Sequence, residues 1–210
     1  MSEMHAESPV VYLVDDDESL RIALGRVLRA GGHEVQVFAS VVDFLLARQE
    51  GLRGCLLLDV RMPGGPSGLE LQKALTRQGE TIPIIFLTGH GDIPMSVQAI
   101  KNGAFDFLTK PVDPDVLLES VKAAIASQET SLRLSLAKRT LAERMKKLSA
   151  DELEIFRRVV NGQLNKQIAG DLGCSERTVK ARRSQVMIKM GAASLAELVH
   201  MADELQRMEG

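Results

Sequence analysis

Four short apolar runs in this sequence end on residues that can do chemistry. Residues 10–14 run into Asp15, Asp16 and Asp17. Residues 55–58 end on Asp59, residues 83–87 run into Thr88, and residues 104–109 run into Lys110. Runs this short and apolar suit central strands of a parallel sheet covered on both faces. The residue just past such a strand lies on the edge where open α/β sheets place their ligands. Acids, a hydroxyl and an ammonium therefore converge on one edge. Two adjacent acids with a third across that edge make an oxygen-ligand site for a hard divalent cation. Magnesium suits it, preferring a few carboxylates, a carbonyl and several waters. The metal would offset the repulsion between Asp16 and Asp59, which otherwise raises one of their pKa values. Asp59 then has the surroundings of an aspartyl nucleophile, with Lys110 and Thr88 to hold the transferred oxygens. Lys110 precedes Pro111, and a cis bond there would help to aim the ammonium.

The elements that must position these residues follow a regular alternation. Helices are expected over 18–30, stopped by Gly31-Gly32, and from a cap at Ser40 through Arg48. Residues 34–38 alternate as a strand. The Gly- and Pro-rich segment 61–68 is a loop, followed by helices over 69–77, over 93–102 and from near Pro114. Five strand–helix units in series predict a doubly wound parallel sheet with right-handed crossovers. The order of its strands is not readable, but a reversal would bring the ends of the first and third strands together. Residues 115–161 contain no Gly or Pro, so the last helix can run unbroken to about Lys147. Its apolar stripes before and after Gln128 do not share a frame. The segment therefore reads as an amphipathic linker helix, with a dimeric coiled coil or a solvated tether as alternatives.

The remainder is all helix. Ser149 and Glu152 make a capping box, Asn165 can cap residues 166–172, and Ser175 caps residues 176–190. Ser194 and Glu197 make a second box. A short helix, a turn holding Gly173, and a helix bearing Arg177, Lys180, Arg182, Arg183 and Lys189 read as a helix-turn-helix, the alternative being a small bundle with a solvated basic face. Charge follows the same division. Residues 1–126 carry 11 Lys and Arg against 17 Asp and Glu, a net −6, and residues 127–210 carry 15 against 11, a net +4. Two domains are expected, the second able to bind a polyanion. Cys55 and Cys174 have no metal-like or disulfide spacing, and no signal pattern or ~20-residue membrane span is present. A soluble cytoplasmic protein is expected.

The segments VDDDESLR, LLLDVRMPG, FLTGHGD and FDFLTKP resemble the signatures of a two-component response-regulator receiver domain. LNKQIAGDLGCSERTVKARRSQVMIKM resembles a LuxR-type helix-turn-helix output domain. Together they are similar to transcription factors of the FixJ/NarL class over nearly the whole chain. The resemblance implies a flavodoxin-like receiver over residues 1–126, a helical linker over 127–148 and a DNA-binding domain over 149–210. It implies Asp59 as phosphoacceptor, with Mg2+ held by Asp16, Asp59 and the backbone carbonyl of Arg61, and by Asp15 through water. Thr88 and Lys110 would bind the phosphoryl group, and Thr88 and Phe107 would form the switch. The implied partners are a sensor histidine kinase, promoter DNA, RNA polymerase and a second copy of the chain. Three departures stand out. The loop RMPGGPSG is one residue longer than usual, LSADE replaces LTxRE, and Arg182 stands where histidine is frequent.

Two other classes fit less well. A haloacid-dehalogenase-type phosphatase or phosphotransferase needs an acid two residues after its nucleophile, where this chain has Arg61. A binding module with a vestigial receiver is opposed by the intact Asp16, Asp59, Thr88 and Lys110. On the regulator reading, the helix opening at Glu176 enters the major groove. Lys180, Ala181 and Ser184 then read bases, with Arg177 on the same side. Thr178, Arg182, Lys189 and Lys166 sit where phosphates pass, and Val179, Val186 and Met190 pack inward. Val97, Ile100 and Lys101 are expected at a receiver dimer contact, and Leu198 and Val199 at an output dimer contact.

Overall fold

The computed structural model describes residues 8–49, 51–63, 65–89 and 101–209, with side chains placed through Leu205. Two compact units divide the chain, Met1–Ser131 and Leu132–Gly210.

The first unit holds five parallel strands, β1 (Val10–Val14), β2 (Glu34–Phe38), β3 (Gly54–Asp59), β4 (Ile84–Thr88) and β5 (Asp106–Thr109), in the order β2-β1-β3-β4-β5. Four helices follow strands: α1 (Glu18–Ala30), α2 (Val41–Ala47), α3 (Gly68–Arg77) and α4 (Pro114–Lys146). The doubly wound architecture is as expected. The reversal of strand order falls between β1 and β3, whose register pairs Val14 with Leu58. The expected helix over 93–102 lies outside the described residues apart from its end. β4 starts one residue later than expected and takes in Thr88. β5 starts at Asp106, two residues later than the expected run, although the Phe105 N–H already reaches the Ile84 carbonyl (2.8 Å); the Asp106 side chain accepts from the Phe107 N–H (2.8 Å) and from Ser120 Oγ (2.6 Å).

Alternate residues of the central strands feed two cores, as a sheet covered on both faces requires. Leu56 and Leu58 pack with Phe44 of α2 and with Leu71 and Leu75 of α3. Cys55 and Leu57 pack with Leu24 and Leu28 of α1 and with Leu117 and Val121 of α4. All six residues of β3 are buried. Full burial of one such leucine contributes about 1.5–3 kcal/mol, so this strand fixes its terminal residue firmly.

Two glycines are forced by crowding against β3. Gly54 opens the strand at φ +119°, and a Cβ there would lie 1.9 Å from the Val10 carbonyl oxygen. Gly68 opens α3 so close to the end of β3 that a Cβ would lie 2.3 Å from the carbonyl oxygen of Asp59. The loop from Asp59 to α3 thus returns beneath its own start.

The second unit contains the C-terminal part of α4 and helices α5 (Ala150–Val160), α6 (Asn165–Asp171), α7 (Glu176–Met190) and α8 (Leu195–Glu209). Leu141, Ile155, Phe156, Val159, Ile168, Val179, Val186, Met190 and Leu198 form its core. The Ser149–Glu152 capping box closes as expected. Asn165 does not cap α6. The helix starts at Asn165, the Gln167 side chain accepts from the Leu164 N–H (2.8 Å), and Asn165 Oδ1 accepts from Arg183 Nη1 (3.2 Å). The second box closes by half: Ser194 Oγ accepts from Glu197 N–H (3.2 Å), while the Glu197 carboxylate takes the Ala193 N–H (2.8 Å). Among the described residues, no helix is long and apolar enough to cross a membrane.

Adding one methyl at Gly68 forces either the Asp59 carbonyl or the start of α3 to move. Gly68→Ala should therefore cost about 1–3 kcal/mol of stability, the usual price of overpacking. Urea unfolding of the variant and the parent chain measures it.

Candidate functional site

β1 and β3 deliver their acids to adjacent points on the carboxyl edge because the strand order reverses between them. Asp15 is fully buried, Asp59 is 8% exposed, and Asp16 is exposed. One carboxylate oxygen from each of Asp15, Asp16 and Asp59 lies within 4.8 Å of the other two. Lys110 directly follows β5 and precedes a cis Lys110–Pro111 bond. Its ammonium donates to Asp15 Oδ2 at 2.6 Å and to Asp59 Oδ2 at 2.7 Å. The other oxygen of each acid holds its own chain: Asp15 Oδ1 accepts from the Asp17 N–H (2.9 Å) and Asp59 Oδ1 from the Arg61 N–H (3.1 Å). Both carboxylates are thus fixed at two points, by a local turn and by the shared lysine.

The electrostatics follow from that geometry. Burial pushes the Asp15 carboxyl above its usual range, against the lowering effect of Lys110 and the Asp17 N–H. Burial acts to lower the Lys110 pKa, but its hydrogen bonds to Asp15 and Asp59 and their charges outweigh it, so the ammonium is held above the usual lysine range. Neighbouring charge and hydrogen bonding to the ionised form win over desolvation at the lysine, and lose to it at Asp15. A set of three carboxylates with no nitrogen or sulfur donor fits a hard divalent cation.

Thr88 is buried beside this cluster and its hydroxyl donates to the Gly89 carbonyl (3.2 Å). Phe107 is half-buried, with its ring 6.4 Å from that of Phe86. Arg21 was missed in the sequence. Its guanidinium donates to the Asp15 carbonyl at 2.6 Å, holding the acidic turn from α1. Only its position one turn into the helix after the acids could have pointed to it.

In the second unit, α7 carries the basic residues. Arg177, Lys180, Ala181 and Ser184 are exposed, as is Lys166 on α6, while Val179, Val186 and Met190 are buried in the core. Thr178 is half-buried, its hydroxyl 2.9 Å from Ser175 Oγ. Arg182 pairs with Asp151 (2.5 Å) and Lys189 with Glu152 (2.6 Å), so both cations are engaged inside the unit by the first turn of α5. Arg144 on α4 caps α7 by donating to the Met190 carbonyl (2.7 Å), a role the sequence did not announce. Leu198 is fully buried in the core, so its side chain is not offered to a second copy; Val199 is half-buried. Lys101 is exposed and lines a cavity of about 300 Å³ with Lys73, Thr76 and Arg77 of α3. Val97 and Ile100 lie outside the described residues.

The Lys189 ammonium, then the Ser149 N–H, hold the Glu152 carboxyl below the usual glutamate range. A depressed folded-state pKa contributes stability above the unfolded value, which is lost as pH falls through the folded one. Glu152→Gln should therefore be less stable than the parent at neutral pH, with the gap closing as pH drops below the ordinary glutamate value of 4.5. Melting curves of both chains across that range provide the check.

Comparison with known proteins bears on both units. A model of the response regulator receiver domain matches residues 11–122, and one of the luxR family of bacterial regulatory proteins matches residues 146–202. The response regulator protein TodT of Pseudomonas putida is 42% identical over 208 residues, which span 98% of this chain and 90% of TodT. The transcriptional regulatory protein FixJ of Azorhizobium caulinodans is 44% identical over 196 residues, 93% of this chain and 92% of that one. Among solved structures, the response regulator StyR superposes with a TM-score of 0.85 at 41% identity, covering 94% of this chain and 99% of StyR. Full-length FixJ from B. japonicum gives 0.60 at 37% identity, covering 95% and 98%.

Proposed function

This chain belongs to the two-component response regulators that join a receiver domain to a luxR-type output domain, and we propose that phosphorylation of Asp59 switches its binding to promoter DNA. The observation that carries this reading is the Lys110 ammonium shared by Asp15 and Asp59 at the reversal of the sheet, on a chain that also carries an exposed basic helix. We assign the receiver to residues 1–126, the linker to 127–148 and the output domain to 149–210.

Asp59 is the nucleophile toward a phosphoryl group supplied by a sensor histidine kinase. Its partners do the positioning. Lys110 holds Asp59 Oδ2 and offers its remaining donor capacity to the incoming oxygens, and the Thr88 hydroxyl takes another. The residues that would hold Mg2+ are Asp16, Asp59 and the Arg61 carbonyl, with Asp15 acting through water. When bound, the ion supplies counter-charge for the transferred group. Capture of the phosphoryl oxygens by Thr88 lets Phe107 turn inward and reshapes the face to which β5 and α4 contribute; Lys101, with Val97 and Ile100 from outside the described residues, is assigned to contact with a second copy. Val199 supports a contact between output domains. The chain works in the cytoplasm, and its bound dimer acts on RNA polymerase. Self-catalysed gain and loss of the phosphoryl group is its only chemistry.

α7 enters the major groove by its N-terminal half, with Lys180, Ala181 and Ser184 toward base edges and Arg177 beside them. Lys166, Thr178, Arg182 and Lys189 face phosphates. For Arg182 and Lys189, DNA must compete with Asp151 and Glu152.

Asp59→Asn should abolish magnesium-dependent labelling by acetyl phosphate. Labelling that persists in the variant, at Asp15 or Asp17 for example, would sink the assignment of the nucleophile. The output domain is tested by selection of bound sequences. Lys180→Ala should relax base preference at one position and cost about 1–3 kcal/mol on the cognate site. Lys166→Ala should weaken all sequences alike and lower the salt slope by about one. The opposite pattern would reverse reader and anchor.

A further inference from the structure

One buried polar side chain in the receiver has no part in the phosphoryl site. Gln128 sits on α4 and is 3% exposed. Its Oε1 accepts from the Gly54 N–H at 2.6 Å, and its Nε2 donates to the Leu52 carbonyl at 2.7 Å. A neighbouring parallel strand would make this same pair of bonds, one donor and one acceptor straddling a single residue. On that edge, β4 begins to pair only at Leu56, whose N–H reaches the Pro83 carbonyl. The Gln128 carboxamide thus continues the ladder where β4 is missing. The opposite edge is filled by β1, with the Val10 N–H on the Arg53 carbonyl and no room for any side chain at Gly54.

The position of this latch matters. Along α4, Leu117, Val121, Ala124, Ile125 and Gln128 are buried, and then no residue is buried until Leu141, which belongs to the core of the second unit. Gln128 is therefore the last anchored residue of α4 on the receiver. The strand it grips is the one whose other end is Asp59, about 16 Å away at 3.3 Å per residue.

We propose that Gln128 is a positioning residue that couples β3 to the helix leading into the output domain, so that the state of Asp59 reaches the DNA-binding unit through this side-chain pairing. The inference rests on the phosphorylation-dependent reading given above. An isosteric apolar side chain would leave the Gly54 N–H and Leu52 carbonyl unpaired and free the helix at its last anchored turn, while every group around Asp59 stays in place.

The test uses the full chain, with beryllofluoride as the phosphoryl mimic and a DNA selected by the parent protein. Parent protein should gain affinity on adding the mimic by a factor in the usual range of allosteric coupling, about 5- to 150-fold. Q128L should lose most of that gain, while acetyl-phosphate labelling of Asp59 stays at the parent level. Amide exchange at Gly54 should quicken in Q128L and should respond to beryllofluoride in the parent. If Q128L fails to fold, Q128E decides, since its carboxylate can accept from Gly54 but cannot donate to Leu52. A parent-like gain in the folded variant would overturn the proposal, as would a fall in labelling that matches the fall in DNA binding. A Gly54 amide indifferent to beryllofluoride in the parent would do the same. A parent protein that gains nothing from beryllofluoride refutes the phosphorylation reading itself, and a parent that gains while Q128L gains equally refutes only the coupling.

Discussion

The arrangement everything else serves is one ammonium held between two buried carboxylates. Asp15 and Asp59 come from strands far apart in sequence, and Lys110 from a third. Two carboxyl groups this deep lose hydration and would repel each other as anions, and neither cost is met by packing. Lys110 offsets part of both, desolvation still prevailing at Asp15, and the Asp17 and Arg61 N–H groups satisfy the remaining oxygens. Much of the receiver can be read as the scaffold this requires: an all-buried β3, a strand order that sets β1 against it, and a glycine at residue 68 where the chain doubles back beneath Asp59.

Such a cluster is also poised for exchange. The acidic groups outnumber the one ammonium between them, and Asp16 remains exposed beside the pair. A divalent cation and a phosphoryl group would bring opposite charges to the same edge, each lessening the cost of the other. In the second unit, internal pairing divides the cations. Arg144, Arg158, Arg182 and Lys189 are engaged by carboxylates or a helix end, whereas Arg177, Lys180 and Lys166 stay exposed on the helix-turn-helix. These pairs occupy carboxylates as well as cations, so the net charge of +4 over residues 127–210 is unchanged while fewer of its cations are open to a polyanion. The face that remains is narrower and lies on two helices.

The 33-residue α4 belongs to both units. Its apolar stripe fails at Gln128 in sequence, which reads as an interruption. In the structure that residue makes two hydrogen bonds to backbone at the start of β3. A carboxamide serves there because it carries the donor and acceptor of a peptide group, and an open strand edge needs both.

The sequence alone determined the five strands, the described helices that alternate with them, the residue types at the strand ends, the unbroken α4 and the inward side of α7. Each of these is a local property, since the period of burial and the residue that ends a run are written in neighbouring positions. Tertiary structure decided the rest. Strand order is a pairing between segments, and no residue of β1 announces that β3 lies beside it. Lys110 meets Asp15 across 95 positions and Gln128 meets Gly54 across 74, so spacing carries no trace of either contact. Leu198 shows the same limit from the other side. An apolar residue on the last helix can face a core or a second copy, and only packing against the rest of the unit put it inside.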